Sequence, residues 1–204
     1  MTVTKIESVT KTKFKVYIDE QFAFVLYRGE LSRYRIAEEQ EISDELFYKI
    51  KNEVILKRAK LRALHLLNDM DRTESQLCTK LKQGGYTEDI IEQAMVYVKS
   101  FGYIEDAGYA KRYILSRQES KSRKEIYAAL CKKGIAKEQI EAAMEECCEE
   151  SGEIQAVQTL VRKKRFNPVT ATDSERQKMY GYLARKGFSY DVIRQVIQVS
   201  EWNA

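Results

Sequence analysis

The chain has 204 residues, 44% hydrophobic and 32% charged, with one proline and a formal net charge of +4. No apolar run approaches the roughly 18 residues of a membrane span, and the stretch from Met1 to Lys11 has no apolar signal core; a cytoplasmic, helix-rich protein without a membrane partner is expected. Four cysteines without a C-x-x-C pair, and His65 as the sole histidine, argue against a metal site, so no metal or other cofactor is expected.

The first 28 residues differ in kind from the rest. Phe14, Val16 and Ile18 alternate with Lys15 and Tyr17, the period of a half-buried strand. Asp19-Glu20-Gln21 can turn the chain into a second apolar run, Phe22 to Tyr27, and Thr2 to Val9 can add a third strand. A small antiparallel meander follows, packed on nearby helices because a bare hairpin is marginal. Glu30 to Ile36 reads as a short helix. Ser43 reads as the cap of a long one, with Ile42 and Phe47 spaced as a hydrophobic staple and an apolar line through Leu46, Ile50, Val54, Leu61, Leu64 and Leu67.

From there the chain repeats itself. Leu77 to Met95 aligns without a gap with Ile126 to Met144 and with Met179 to Ile197, at offsets of 49 and 53 residues. Apolar residues match at Leu77/Ile126/Met179, Leu81/Leu130/Leu183, Ile91/Ile140/Ile193 and Met95/Met144/Ile197. The turn residues match as Gly85-Tyr86, Gly134-Ile135 and Gly187-Phe188. Glycine fits a left-handed helix end, and the apolar residue after it precedes a cap position held by Thr87, Ala136 or Ser189. Each copy is therefore a helix-turn-helix corner. Thr73-Glu-Ser-Gln76, Ser122-Arg-Lys-Glu125 and Thr172-Asp-Ser-Glu175 supply capping boxes, the last one three residues earlier than the others. Amphipathic stretches at Ala59 to Asn68, Ala107 to Arg117 and Ile154 to Arg165 add a helix ahead of each corner.

The expected fold is mainly α: three tandem three-helix repeats in an elongated array, with a small N-terminal β-hairpin or meander extension. The expected divisions are 1–50 for the extension and linker helix, then 51–102, 103–150 and 151–204 for the repeats. A unit of about 50 residues buries little core alone, so neighbours should share apolar surface.

The second helix of a corner could read DNA, but Glu88, Asp89, Glu92, Glu138 and Glu141 would face phosphates and repel them. The corner reads as a packing device. Charge is uneven: residues 154–204 carry 9 basic and 4 acidic side chains, against 9 and 11 over 100–153 and 17 and 16 over 1–99. Candidate contacts for a polyanion or an acidic protein are Lys121, Arg123 and Lys124, then Arg162, Lys163, Lys164 and Arg165, then Arg185 and Lys186. Lys132-Lys133 and Arg185-Lys186 also suit a helix C-terminus. No nucleotide-binding, hydrolase or metalloprotease motif occurs and no catalytic residue is assigned; a non-enzyme is expected. The acidic run Glu145 to Glu150 lacks the spacing of a calcium loop.

Four pieces in order carry a resemblance. They are Arg72-Thr73 ahead of Leu77-x-x-x-Leu81-x-x-x-Gly85-Tyr86; Gly102-Tyr103-Ile104-Glu105-Asp106-x-x-Tyr109-Ala110; Leu130-x-x-Lys133-Gly134-Ile135; and Leu183-x-Arg185-Lys186-Gly187-Phe188. Over roughly residues 58–200 the chain resembles the RecX family of bacterial recombination regulators. Gln76 stands where that family often has Glu, and Ser122 where Lys-Gly is usual after Lys121; both retain capping ability. The resemblance implies an array of three-helix units that acts as a monomer, binds the RecA recombinase and modulates its nucleoprotein filament. Strand exchange, ATP hydrolysis and co-protease activity would be inhibited. Single-stranded or duplex DNA would be a non-specific further partner. The competing reading is a helix-turn-helix transcription regulator, which would bind duplex DNA selectively without RecA.

Overall fold

The structure is a computed structural model and describes residues 1–147 and 150–197. It divides into two compact units, Met1–Glu105 and Asp106–Ala204. In the first, β1 (Val3–Ser8), β2 (Lys13–Ile18) and β3 (Gln21–Tyr27) form an antiparallel meander in the order β1-β2-β3. Alternation puts Val3, Val16, Ile18, Phe24 and Leu26 on one face, all buried. Bulges at Thr4 and Ala23 keep that face continuous where the simple alternation would slip. Both outer edges are occupied. Segment 39–42 bonds to β1 through Val3 N to Gln40 O and Glu39 N to Val3 O, while the Arg58 guanidinium donates to the Val25 carbonyl of β3 at 3.0 Å. Such cover leaves less backbone free to pair with another chain.

Helix α1 (Arg28–Tyr34) follows, and then a continuous helical rod. Ser43 caps it, accepting from Leu46 N at 3.2 Å. It runs through α2 (Asp44–Lys49), a π-helical stretch (Ile50–Leu56) and α3 (Lys57–Asp69). The π stretch changes which residues are buried. A regular helix would carry the apolar line from Val54 on to Leu61, but Leu61 is 61% exposed and Leu64 and Leu67 are only partly buried. The residues that face the core are Ile50, Ile55, Ala59, Ala63 and Leu66. The five-residue step from Ile50 to Ile55 crosses the wider turn, after which steps of four, four and three resume.

The repeats are built alike. Their helices are α3, α4 (Glu74–Gln83) and α5 (Glu88–Ser100); α6 (Asp106–Arg117), α7 (Arg123–Lys132) and α8 (Lys137–Cys147); and α9 (Glu150–Lys163), α10 (Asp173–Arg185) and α11 (Tyr190–Ile197). The first helix lies against the third each time: α3 on α5, α6 on α8, α9 on α11. The corner turns share one hydrogen-bond pattern. Tyr86, Ile135 and Phe188 N–H groups donate to the carbonyls of Leu81, Leu130 and Leu183, while Gly85, Gly134 and Gly187 donate to Lys82, Cys131 and Ala184. This is a Schellman end, which needs a left-handed residue; φ is +82°, +81° and +91° at the three glycines.

The caps are less uniform than the turns. Thr73 and Thr172 make full capping boxes with Gln76 and Glu175, and the earlier third box makes α10 the longest of the three helices that open a corner. Ser189 accepts from Val192 N at 3.3 Å. Thr87 has cap geometry but makes no cap bond. Its hydroxyl bonds Asp89 instead. Burial pushes the Asp89 carboxyl up, and the bonds from Lys51 and Thr87 outweigh it, holding it below its ordinary range.

The sheet and the first repeat share one core, in which the sheet's apolar face meets Ile50, Ile55, Leu77, Leu81, Ile91 and Met95. Among the described residues the second repeat (Ile114, Ile126, Leu130, Ile140) and the third (Val157, Leu183, Phe188, Ile193) have separate cores. Shared apolar surface therefore joins the sheet to the first repeat but not the second repeat to the third. That junction is polar because it brings a helix start against a helix end, whose backbone groups need hydrogen-bond partners.

Candidate functional site

At this junction Ser122, fully buried, does two things. Its Oγ accepts from Glu125 N at 3.1 Å as the cap of α7, and donates to the Lys186 carbonyl at 2.6 Å. Lys186 is the last residue before the third glycine. A Cβ added to Gly187 would lie 2.9 Å from Ser122 Oγ and 3.1 Å from Lys124 Cβ, so the turn approaches α7 as closely as it does because it has none. Glu153 of α9 adds a second tie, accepting from Arg123 N at 3.0 Å and placing a carboxylate at the start of α7.

An open groove of about 520 Å³ results, lined by Lys124, Glu125, Tyr182, Arg185, Lys186 and Gly187 among others. Glu125 is its one lining carboxylate among the described residues; it pairs with Lys121 at 2.7 Å and reaches Lys186 at 4.0 Å. Lys124 and Arg185 have no ion-pair partner among the described residues. Lys164 Nζ stands 5.0 Å from the centroid of the Tyr182 ring, which brings the basic run of α9 to the same groove. The arrangement is a cationic, partly aromatic groove with spare positive charge, suited to a polyanion or an acidic protein surface.

The basic residues singled out in the sequence thus separate. Lys124, Arg185 and Lys186 line the groove, Lys164 reaches it through Tyr182, and Lys121 is committed to Glu125. Arg123 is exposed at the start of α7, and Arg162 and Lys163 are exposed at the end of α9. Arg165 is a turn residue as well as a cation, with φ +54°. Its N–H donates to Arg162 O, and Phe166 N donates to Val161 O, the same Schellman pattern with arginine where the corners have glycine. Arg165→Gly should raise stability by about 1 kcal/mol, read as an increase in the urea midpoint at unchanged slope. Lys133 lies over the rings of Tyr109 and Tyr113, at 5.3 and 5.4 Å, and acts as a packing residue.

Tyr182 was not marked by the sequence pattern, and Glu125 was marked only as the capping-box partner of Ser122; Ser122 does cap α7, but the Glu125 carboxylate pairs with Lys121 instead of closing the box. A signal existed, since Tyr182 precedes Lys186 by one helical turn and Lys121 and Glu125 are spaced i, i+4. Two of the three acids of α5 are engaged: Glu88 pairs with Lys82 at 2.8 Å and Asp89 with Lys51 at 2.6 Å, while Glu92 is exposed. Cys78, Cys131 and Cys147 are free thiols, and no group of three potential metal ligands forms among the described residues; Cys148 and Glu149 lie outside them. No helix among the described residues is long and apolar enough to cross a membrane.

Three family models match the chain: the first three-helix domain of RecX over residues 59–97, the second over 106–144 and the third over 152–197. A regulatory protein RecX of Caldanaerobacter subterraneus subsp. tengcongensis is 32% identical over 202 residues, covering 98% of this chain and 100% of the relative. The chain belongs to the RecX family. A regulatory protein RecX of Clostridium acetobutylicum is 27% identical over 209 residues, covering 97% of this chain and 95% of its own. Among solved structures, a crystal structure of regulatory protein RecX is 25% identical with a TM-score of 0.62, covering 97% of this chain and 98% of that one. RecX from Lactobacillus salivarius, 24% identical with a TM-score of 0.60 and covering 72% of this chain and 96% of its own, has a similar fold. The alignments with the Caldanaerobacter and Clostridium relatives cover 98% and 97% of this chain, so they include most or all of the N-terminal segment that forms the sheet here as well as the helical repeats.

Proposed function

We propose that this RecX chain is a non-enzymatic regulator that binds RecA and modulates its nucleoprotein filament, lowering strand exchange, ATP hydrolysis and co-protease activity in recombinational repair. The observation that carries the reading is the near full-length match to proteins named regulatory protein RecX. The groove at the junction of the second and third repeats supplies a surface for it. Lys124 and Arg185, lacking carboxylate partners among the described residues, would meet acidic groups of RecA or the DNA it holds. The protein would work as a cytoplasmic monomer. A transcription-regulator role is disfavoured because α5 opens on Glu88 and Asp89 and carries the exposed Glu92, an acidic start for a helix that would have to approach phosphates.

The test adds the purified protein to RecA filaments preformed on single-stranded DNA. ATP hydrolysis should fall as the protein is titrated in. Unchanged hydrolysis at stoichiometric excess, with no co-sedimentation with the filament, rules the reading out.

A further inference from the structure

The sheet has a second face, and its composition differs from that of the groove. Register places Lys5 opposite Tyr17, Tyr17 opposite Phe22 and Lys13 opposite Tyr27, with Lys15 between them, all on the side away from the core. Three cations and three rings therefore share a pleated surface, on which Lys15 lies between Glu7 and Val25. Lys5 Nζ stands 5.6 Å from the Tyr17 centroid and Lys13 Nζ 5.6 Å from that of Tyr27. Tyr17 and Phe22 meet edge to face with centroids 5.9 Å apart. The one acidic side chain among them, Glu7, is engaged by the Tyr17 hydroxyl, which donates to it at 3.0 Å. Lys11, in the β1–β2 turn, adds a fourth cation at the same end as Lys13.

We infer that this outer face is a platform for single-stranded nucleic acid, with unpaired bases stacking on Tyr17 and Phe22 and the phosphates following Lys5, Lys13 and Lys15. Two features choose this occupant. The charge is complementary to a phosphodiester chain, and an acidic protein would use the cations while leaving the rings idle. A paired duplex keeps its base faces covered, so the rings favour an unpaired strand. The boundary of the platform runs along Val25 and Tyr27: Val25 Cγ2 would be 2.8 Å from a Cβ on Gly85, where the first corner closes over the sheet, and the Arg58 guanidinium lies over the Tyr27 ring at 4.6 Å.

The test is fluorescence anisotropy of a labelled oligothymidylate with the full chain and no RecA, so it stands or falls apart from the filament reading. The wild-type chain should bind it more tightly than a duplex of equal length. The combined variant Lys5→Gln, Lys13→Gln, Lys15→Gln should bind more weakly, and the slope of log affinity against log salt should shrink by about 2, from about 0.7 per phosphate contact. Phe22→Leu, which keeps the apolar volume without the ring, should lose about 5-fold or more. Equal duplex affinity, no binding by the wild type, or a glutamine variant with full affinity and an unchanged slope overturns the inference. Because the three lysines lie outside the core, the glutamine variant should melt with the wild type and decides the matter even if Phe22→Leu unfolds.

Discussion

Gly187→Ala should lower stability by about 2–4 kcal/mol, combining roughly 1–2 kcal/mol for a left-handed residue with a Cβ and about 1–2 kcal/mol for a disturbed buried hydrogen bond. Both terms act at one place. At φ +91° alanine is strained, and its Cβ would press on Ser122 Oγ at 2.9 Å, where the bond to the Lys186 carbonyl is made. Gly181→Ala, in the middle of α10, is the matched control. There a Cβ would meet only the end of the flexible Arg185 side chain at 3.4 Å, and the helix should gain roughly 0.5–1 kcal/mol. Urea unfolding of the two variants beside the wild type checks the pair. Equal stability of all three would mean that the third turn does not need its glycine.

Reversing Lys124 and Arg185 together to glutamate should weaken binding to RecA filaments about 10- to 100-fold, on the order of 0.7–1.4 kcal/mol for each cation. Neither side chain is tied to a carboxylate among the described residues, so the change should leave the melting temperature nearly unaltered. Lys132→Glu is the proper comparison: it is exposed and lies away from the groove, and its reversal should cost little. Lys133 is a poor one, because its ammonium packs on Tyr109 and Tyr113 and reversal would disturb the second repeat. Filament co-sedimentation over a range of salt concentrations measures the effect. An affinity unchanged in the double variant, beside an active wild type, would move the contact elsewhere on the molecule.

Local chemistry was the legible part of this chain. Glycine followed by an apolar residue announced three Schellman turns, and serine or threonine followed by Glu or Gln three residues on announced three helix starts. Both signals are confined to a few neighbouring residues, so no tertiary knowledge is needed to read them. The π stretch was not legible, because one wide turn leaves no mark on residue type and shows only as a shifted burial pattern after Ile50. The groove was half legible. Its cations were visible as clusters, but Ser122 and Lys186 are 64 residues apart in sequence. Nothing local says that one repeat's cap will dock on the next repeat's turn. That docking sorts Lys124 and Arg185, with spare charge, from Lys121, already committed to Glu125.

The rod from Asp44 to Asp69 has no loop where the sheet's support becomes the first repeat's first helix. A domain hung on a flexible linker searches a volume, and what it gains in local concentration it loses in orientation. Here the wide turn around Ile50 to Leu56 does the opposite. It swings the buried edge of one unbroken helix from the sheet toward the first corner, so that both share a single core. The sheet is a rigid mount rather than a tethered accessory. Whatever rests on its outer face is held at a fixed distance and angle from the first corner, with no linker entropy to overcome.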